Sequence, residues 1–224
     1  MKLLALDTAG ARCSVALLLD GKLTESDAPA ERVQAESVLP MVERLLADAG
    51  LGLKSLDAIA FGRGPGAFTG LRVATSVAQG LAYGAGLPVV PVSDLAALAA
   101  AAARLHKVER IMACLDARMH EVYWAAYEVR AGDMVPLCEE ALSPPAEVSA
   151  PASGAWFGAG PGWAAYGEAL RARISGLTGT DPALLPTAGD VARLGEVAFR
   201  KGQKLPPERA LPVYLRDKVA TPKA

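Results

Sequence analysis

The chain has 224 residues, 52% of them apolar and 21% charged, with a formal net charge of −1. That length accommodates one large domain or two small ones around a sizeable core. The near-neutral balance argues against a free-standing nucleic-acid binder, which would carry a basic face. Cys13, Cys114 and Cys138 form no ligand-spaced cluster, and the first two sit in apolar runs as buried thiols of a reducing compartment would. Only four apolar residues follow Lys2 before Asp7, too few for a signal peptide, and no apolar run is long enough for a bilayer. The expected compartment is therefore the cytoplasm, with no membrane partner.

Leu3 to Leu6 reads as a short strand ending at Asp7-Thr8-Ala9-Gly10, Cys13 to Leu19 as a second, and Asp20-Gly21 as a hairpin turn into a third that begins at Lys22 to Glu25. Asp27 to Arg32 reads as polar connection. A helix follows within Gln34 to Ala49, with Val38, Met41 or Val42, Leu45 and Leu46 on its apolar stripe. Pro40 requires that Ser37 caps this helix or that the helix is kinked. Leu56 to Phe61 makes a fourth strand.

The next stretch, FGRGPGAFTGLRVATSVAQGLAYG at 61–84, reads as strand, glycine hinge and helix. Leu71, Ala74, Ala78, Leu81 and Ala82 recur at helical spacing, and Thr69 is placed to cap. The helix is unusually small-sided, which lets another backbone approach. The hinge is not a Walker A loop, because no Lys-Ser/Thr pair follows its glycines. It reads either as a structural or interface element or as a direct ligand contact through free N–H groups at the helix start.

Leu87 to Val92 is a fifth strand, and Ser93 caps an alanine-rich helix over Leu95 to Leu105. Ile111 to Leu115 is a strand, Asp116-Ala117-Arg118 a turn, Glu121 to Val129 a long strand, and Met134 to Leu137 a further one. In Leu6-Asp7-Thr8 and Leu115-Asp116-Ala117 alike, an aspartate ends the first strand of a hairpin. This internal repeat suggests duplicated subdomains, 1–105 and 106–224. Residues 138–156 read as irregular, Trp156 to Gly160 as a short strand, Pro161 to Ile174 as a helix, Gly176 to Pro186 as loop, and Val191 to Lys201 as a helix capped by Asp190. Leu205 to Arg216 is a proline-punctuated tail in which Val213-Tyr214-Leu215 adds a strand or docks on the surface.

Asp7 and Asp116 are the candidate functional acids. A carboxylate at such a hairpin faces a nucleotide phosphate through Mg²⁺, or it caps its own turn. Arg12 is the one basic residue in the first hairpin. Arg63 and Arg72 flank the hinge, placed for a phosphate, a partner carboxylate or solvent. Arg118, Arg216 and Lys218 would supply a positive rim if the fold brought them together. His106 and His120, the only histidines, fit no metal-binding helix pattern, and no nucleophile elbow is present. The stripe of Val38, Met41 and Leu45, beside the small face of 70–84, serves the core or forms a helical layer with a partner.

At LALDTA (4–9), AESVLPMVERLL (35–46), GRGPGAFTGLRVATSVAQGLAYG (62–84), DARMHEVYWAAY (116–127) and PVYLRDKVA (212–220) the chain resembles the bacterial TsaB/YeaZ family. Five motifs in this order over essentially the whole chain are far more specific than one glycine pattern. The resemblance implies an α/β fold of the actin, Hsp70 and sugar-kinase (ASKHA) type, with duplicated subdomains of mixed sheet flanked by helices. It implies a non-catalytic subunit of the machinery that makes N6-threonylcarbamoyladenosine at position 37 of tRNA, binding and activating the TsaD transferase and contacting the ATPase TsaE. TsaD holds its metal through a His-x-x-x-His helix, whereas the helix compared with it here offers Gln34 and Val38. No cofactor, metal or catalytic residue is implied for this chain, and tRNA contact is indirect or minor. The implied interface is the pair of helices near 34–49 and 69–84, drawing on Val38, Met41, Val42 and Leu45 of the first and Leu71, Ala74, Ala78 and Leu81 of the second, with homodimerisation through the same helices. The alternatives are an ATP-dependent small-molecule kinase of the same fold, which needs Asp7, Asp116 and the hinge around one open cleft, and a metallopeptidase, for which the histidines are inadequate.

Overall fold

Leu4 and Leu6 point to one face of the first strand, Leu3 and Ala5 to the other, and all four are buried in a computed structural model of the protein. Side chains alternate along a strand, so a near-continuous apolar run is what a strand covered on both faces requires. The structure describes residues 1–29 and 34–216, with backbone only at Gln34 and Ala35. The expectations that rest on Arg32, the side chain of Gln34 and Lys218 lie outside the described residues.

The first sheet contains β1 (Lys2–Asp7), β2 (Arg12–Leu19), β3 (Lys22–Pro29), β4 (Ala58–Gly62) and β5 (Val89–Val92) in the order β3-β2-β1-β4-β5. β1 runs antiparallel to β2 and parallel to β4. Helices α1 (Gln34–Asp48) and α2 (Phe68–Ala85) connect its strands, and α3 (Asp94–His106) follows β5. The second sheet contains β6 (Arg110–Arg118), β7 (Glu121–Arg130), β8 (Asp133–Pro136), β9 (Ala141–Ser143), β10 (Trp156–Ala159) and β11 (Leu177–Asp181), with α4 (Pro161–Arg173) between its last two strands and α5 (Ala188–Arg200) after them. Its order is β11-β10-β6-β7-β8, with β9 paired to β7. Taking β6, β7, β8, β10 and β11 as counterparts of β1 to β5, strand order and strand directions repeat.

The layers alternate. Val38, Val42, Leu45 and Leu46 of α1, with Ala78 and Ala82 of α2, cover one face of the first sheet. Ala188, Val191 and Ala192 of α5 cover the other. Leu95, Leu98, Ala99 and Ala102 of α3 cover the near face of the second sheet, and Trp163 and Leu170 of α4 its far face. The terminal helix of each half thus packs on the other half's sheet, and the boundary expected at 105/106 separates the sheets but not the helices. Gly195 makes the close approach of α5 workable, since a β-carbon there would stand 2.8 Å from that of Ala60.

Several local expectations change. β3 continues through the polar stretch to Pro29, because each residue from Asp27 to Pro29 pairs with β2. α1 runs through Pro40 with Ser37 inside it rather than capping it. The N-cap of α2 is Ala67, so Thr69 lies within the helix. Asp116 to Arg118 belongs to β6, through a register shift, and the reversal falls at Met119-His120, both with left-handed backbone. Residues 141–143 and 177–181 are strands, not loop. The cap of α5 is Thr187, whose hydroxyl accepts from the N–H of Asp190. Asp190 is instead a buried acid that accepts from Arg104 at 3.1 Å and from Arg193 at 3.3 Å. The tail adds no strand at 213–215, but it docks: the Val213 N–H donates to the Arg63 carbonyl at 2.7 Å.

Candidate functional site

The two halves enclose a cleft of about 510 Å³. Its walls come from Gly10 and Ala11 after β1, from Pro65 and Gly66 of the hinge, from Asp94 at the start of α3, and from Asp116 to Met119 of the β6–β7 hairpin. The two hairpins singled out in the sequence therefore do face one cavity.

The two aspartates play one local part. Asp7 Oδ1 accepts the N–H of Ala9 at 2.9 Å, and Asp116 Oδ1 accepts the N–H of Arg118 at 2.8 Å. Each bonds the backbone two residues on, the turn-capping alternative, and each does so at the equivalent place in its sheet. Asp116 lines the cleft and is half-buried, whereas Asp7 is buried beneath it. Arg12 is not brought to either acid: it pairs with Asp27 on the neighbouring strand. Leaving the first hairpin's one base outside the cleft removes the cation that phosphate binding beside Asp7 would have used.

The glycine hinge is occupied with its own surroundings. Gly64 N–H donates to Asp94 Oδ2, and Ala67 N–H donates to the carbonyl of Ala9 at 2.8 Å. A β-carbon on Gly66 would stand 2.7 Å from that same carbonyl oxygen, so only glycine allows the hinge to lie on the loop after β1. Gly64 has φ +108° and would press a side chain against the Val213 carbonyl at 2.8 Å. These bonds give the Gly64 and Ala67 amides a structural role.

The arginines named from the sequence are engaged within the chain. Arg63 pairs with Glu140 at 3.1 Å, and Arg72 lies 3.8 Å over the Phe68 ring and donates to the Tyr214 hydroxyl at 3.1 Å. Arg118 pairs with Asp116 at 3.2 Å, while Arg216 pairs with Glu121 at 2.7 Å and donates to the Ala117 carbonyl at 3.0 Å. Arg118 and Arg216 do meet at the same cleft, each already neutralised by an acid. Tyr214 also packs on Phe68, ring centroids 5.4 Å apart, so residues 213–216 strap the hinge of one half to the hairpin of the other. Among the described residues no three His, Cys, Asp or Glu side chains converge to hold a metal ion.

The expected apolar interface is corrected in one respect. Val38, Val42, Leu45 and Ala78 are buried in the first core, Leu71 and Ala74 are buried as well, and Met41 and Leu81 are half-buried against that core. Six of these eight side chains are turned inward, whereas Met41 and Leu81 keep part of their surface in solvent. The surface these helices show to solvent includes Leu39, 42% exposed, beside the charged Glu36, Glu43, Arg44 and Asp48 of α1, and on α2 Phe68, Arg72, Ser76, Gly80, Gly84 and Tyr83, the last 76% exposed. Gly80 and Gly84 have nothing within 4 Å of a would-be β-carbon. Beside them, with Leu53 and Leu81, lies an open hollow of about 460 Å³.

Sequence reasoning missed Asp94, which lies between the cap Ser93 and the expected helix and drew no reading of its own. The signal lay in Gly62: a strand glycine marks a place where something approaches closely. Here that something is a pair of carboxyl groups. A β-carbon on Gly62 would meet Asp94 Oδ1 at 2.7 Å and Asp7 Oδ1 at 3.2 Å.

Known proteins share this fold. A family profile described as "TsaD: tRNA N6-adenosine threonylcarbamoyltransferase" matches residues 28–223. The tRNA threonylcarbamoyladenosine biosynthesis protein TsaB of Haemophilus influenzae is 42% identical over 98% of this chain and 95% of its own length. The TsaB of Escherichia coli is 40% identical over 98% and 96%. The chain belongs to the TsaB/YeaZ family. The solved structure of YeaZ from Pseudomonas aeruginosa superimposes with a TM-score of 0.90 at 47% identity, covering 96% of this chain and 99% of that one. The buried positions and the duplicated sheets described above are therefore features of a TsaB/YeaZ chain. No helix among the described residues is long and apolar enough to cross a membrane.

Proposed function

We propose that this chain is a non-catalytic subunit in the synthesis of N6-threonylcarbamoyladenosine in tRNA, binding and activating a TsaD transferase. The observation that carries the reading is near-full-length similarity to TsaB proteins of that biosynthesis. The repeated strand order and the exchanged terminal helices support the finer assignment to the actin, Hsp70 and sugar-kinase-like fold, with subdomains near 1–105 and 106–224. A bridged cleft whose Gly64 and Ala67 amides and whose arginines are engaged within the chain suits a chain that lends a surface rather than one that turns over a substrate.

The partner surface in this reading is the outward side of α1 and α2. Leu39, Tyr83, Gly80 and the hollow beside Gly84 offer an apolar, small-sided face that admits a second backbone closely. The same face serves self-association, and TsaE joins the assembly. With a net charge of −1 the chain makes at most minor contact with tRNA itself. Reconstitution tests the proposal: TsaD, TsaE, ATP, threonylcarbamoyl-adenylate and tRNA should yield modified adenosine only when this chain is added. Full activity without it, or modification by this chain alone, refutes the reading.

A further inference from the structure

The floor of the cleft brings two carboxyl groups together out of water. Asp7 ends β1 and is 2% exposed, and Asp94 opens α3 and is fully buried. Both direct an Oδ1 at the Cα of Gly62, within 3.2 Å and 2.7 Å of where a β-carbon would stand. Asp7 Oδ1 takes the Ala9 N–H, and Asp94 Oδ2 takes the Gly64 N–H. Asp94 Oδ1 is left buried with no hydrogen-bond partner among the described groups. Two ionised carboxylates in this position would repel at low dielectric, and a buried oxygen with no donor carries an unrepaid desolvation cost. A single proton removes both problems, because a neutral carboxyl can donate to its neighbour. We propose that Asp94 remains protonated at neutral pH and donates through Oδ1 to Asp7, so that one proton latches the loop after β1, the glycine hinge and the start of α3 around the cleft.

The surroundings agree. Burial holds the Asp94 carboxyl well above the usual range, and the charge of Asp7 raises it further against the Gly64 N–H. Burial also raises Asp7, to about 6, opposed by the Ala9 N–H and by the bond from Asp94. Asp7 is thus the partner that ionises first and accepts. The other charged and titratable groups facing the pair come from three elements. Glu25 of β3 raises Asp7, its own carboxylate taking the Gly189 N–H of α5 at 2.8 Å. Arg63 of the hinge lowers Asp94 and is itself held by Glu140. Cys13 of β2 is a buried thiol pushed up by burial and by Asp7. None of the three donates to Asp94 Oδ1.

Both carboxyls bind protons more tightly folded than unfolded. The stability they confer is complete below the ordinary value of 3.8 and is lost as pH rises, first through about 6 as Asp7 ionises and then through the higher value of Asp94, where the latch opens. Asp94→Asn isolates the second step: its amide NH₂ replaces the O–H as donor to Asp7, its oxygen keeps the Gly64 N–H, and it has no proton to lose. Urea unfolding of the full chain from about pH 5 to about pH 9 should show the wild-type midpoint falling on the alkaline side while the Asp94→Asn midpoint does not fall there. Infrared spectra at neutral pH should show a protonated-carboxyl C=O band in the wild type that Asp94→Asn lacks. Parallel alkaline limbs, or a band that survives in Asp94→Asn, overturn the latch. If the variant does not fold, the wild-type spectrum alone decides, since absence of the band at neutral pH refutes the proposal. Loss of the band on adding Mg²⁺ or Mn²⁺ at neutral pH would likewise overturn it, by showing the pair to be a cation site.

Discussion

Arg63 and Glu140 meet at 3.1 Å across the junction of the two halves, the arginine from the hinge after β4 and the glutamate from the chain between β8 and β9. The Tyr127 hydroxyl donates to the same glutamate oxygen at 3.3 Å and lies 3.4 Å from Ser93 Oγ. The charged side chains are only 26% and 14% exposed, so the pair belongs between a solvated ion pair and a buried one. Arg63→Ala should therefore destabilise the chain by about 1–3 kcal/mol, measured by urea unfolding. Glu140→Gln, which retains an acceptor for Tyr127, should cost less. Losses below about 0.5 kcal/mol for both would show that the contact contributes little.

Asp190 makes the corresponding link between α3 and α5. Its carboxylate is buried and bonds arginines on both helices. Asp190→Ala removes the acceptor from two cations and should cost roughly 2–4 kcal/mol. Arg104→Ala should cost less, because that side chain is 42% exposed and Arg193 still serves Asp190. Thermal melts of the two variants give the ranking, and an Arg104 loss larger than the Asp190 loss would contradict it.

The proposed partner face makes separable demands on folding and binding. Gly80→Ala fills open space on a helix and should stabilise the isolated chain by up to about 1 kcal/mol. Gly80→Trp and Tyr83→Asp should leave the melting temperature nearly unchanged yet abolish co-elution with TsaD in gel filtration. Leu45→Asp places a charge in the core and should lose the fold and the pairing together. Normal pairing by both Gly80→Trp and Tyr83→Asp would place the contact elsewhere.

Which parts of this arrangement were legible in the sequence follows from the range of the interactions involved. Strands β1, β2, β4 and β5 and helices α1 to α3 announce themselves through local apolar content, β3 only through the Asp20-Gly21 turn before it, and Ser93 caps α3 as its residue type suggests. β11 was hidden because LTGTD has little apolar content, and its pairing with β10 comes from distant residues. The stripe of Val38 and Leu45 signalled burial, but periodicity alone does not say whether a sheet of the same chain or another protein covers it. Asp94 was invisible as a member of a pair because its partner lies at the end of β1. The turn bonds of Asp7 and Asp116, which span two residues each, were among the readable alternatives.

The thiols offer an independent check on the core. Cys13 and Cys114 are buried, and burial raises both thiols above their usual range. The thiolate is the reactive form, so native protein at neutral pH should release little colour from these two with a disulfide reagent, and both should react once urea unfolds the chain. Cys138 is only partly buried and should react first. Rapid modification of Cys114 in the native state would contradict the placement of β6 between two covered faces.

The exchange of terminal helices also bears on how the polypeptide matures on the ribosome. One side of the N-terminal sheet, including Leu3, Ala16 and Val90, is closed by residues 188–200. That sheet therefore emerges from the exit tunnel with an oily flank uncovered, and the flank stays wet until nearly all codons have been read. Nascent chains stalled before residue 188 should accordingly recruit holdase chaperones, and release of the finished chain, which frees residues 188–200 from the tunnel, should dismiss them.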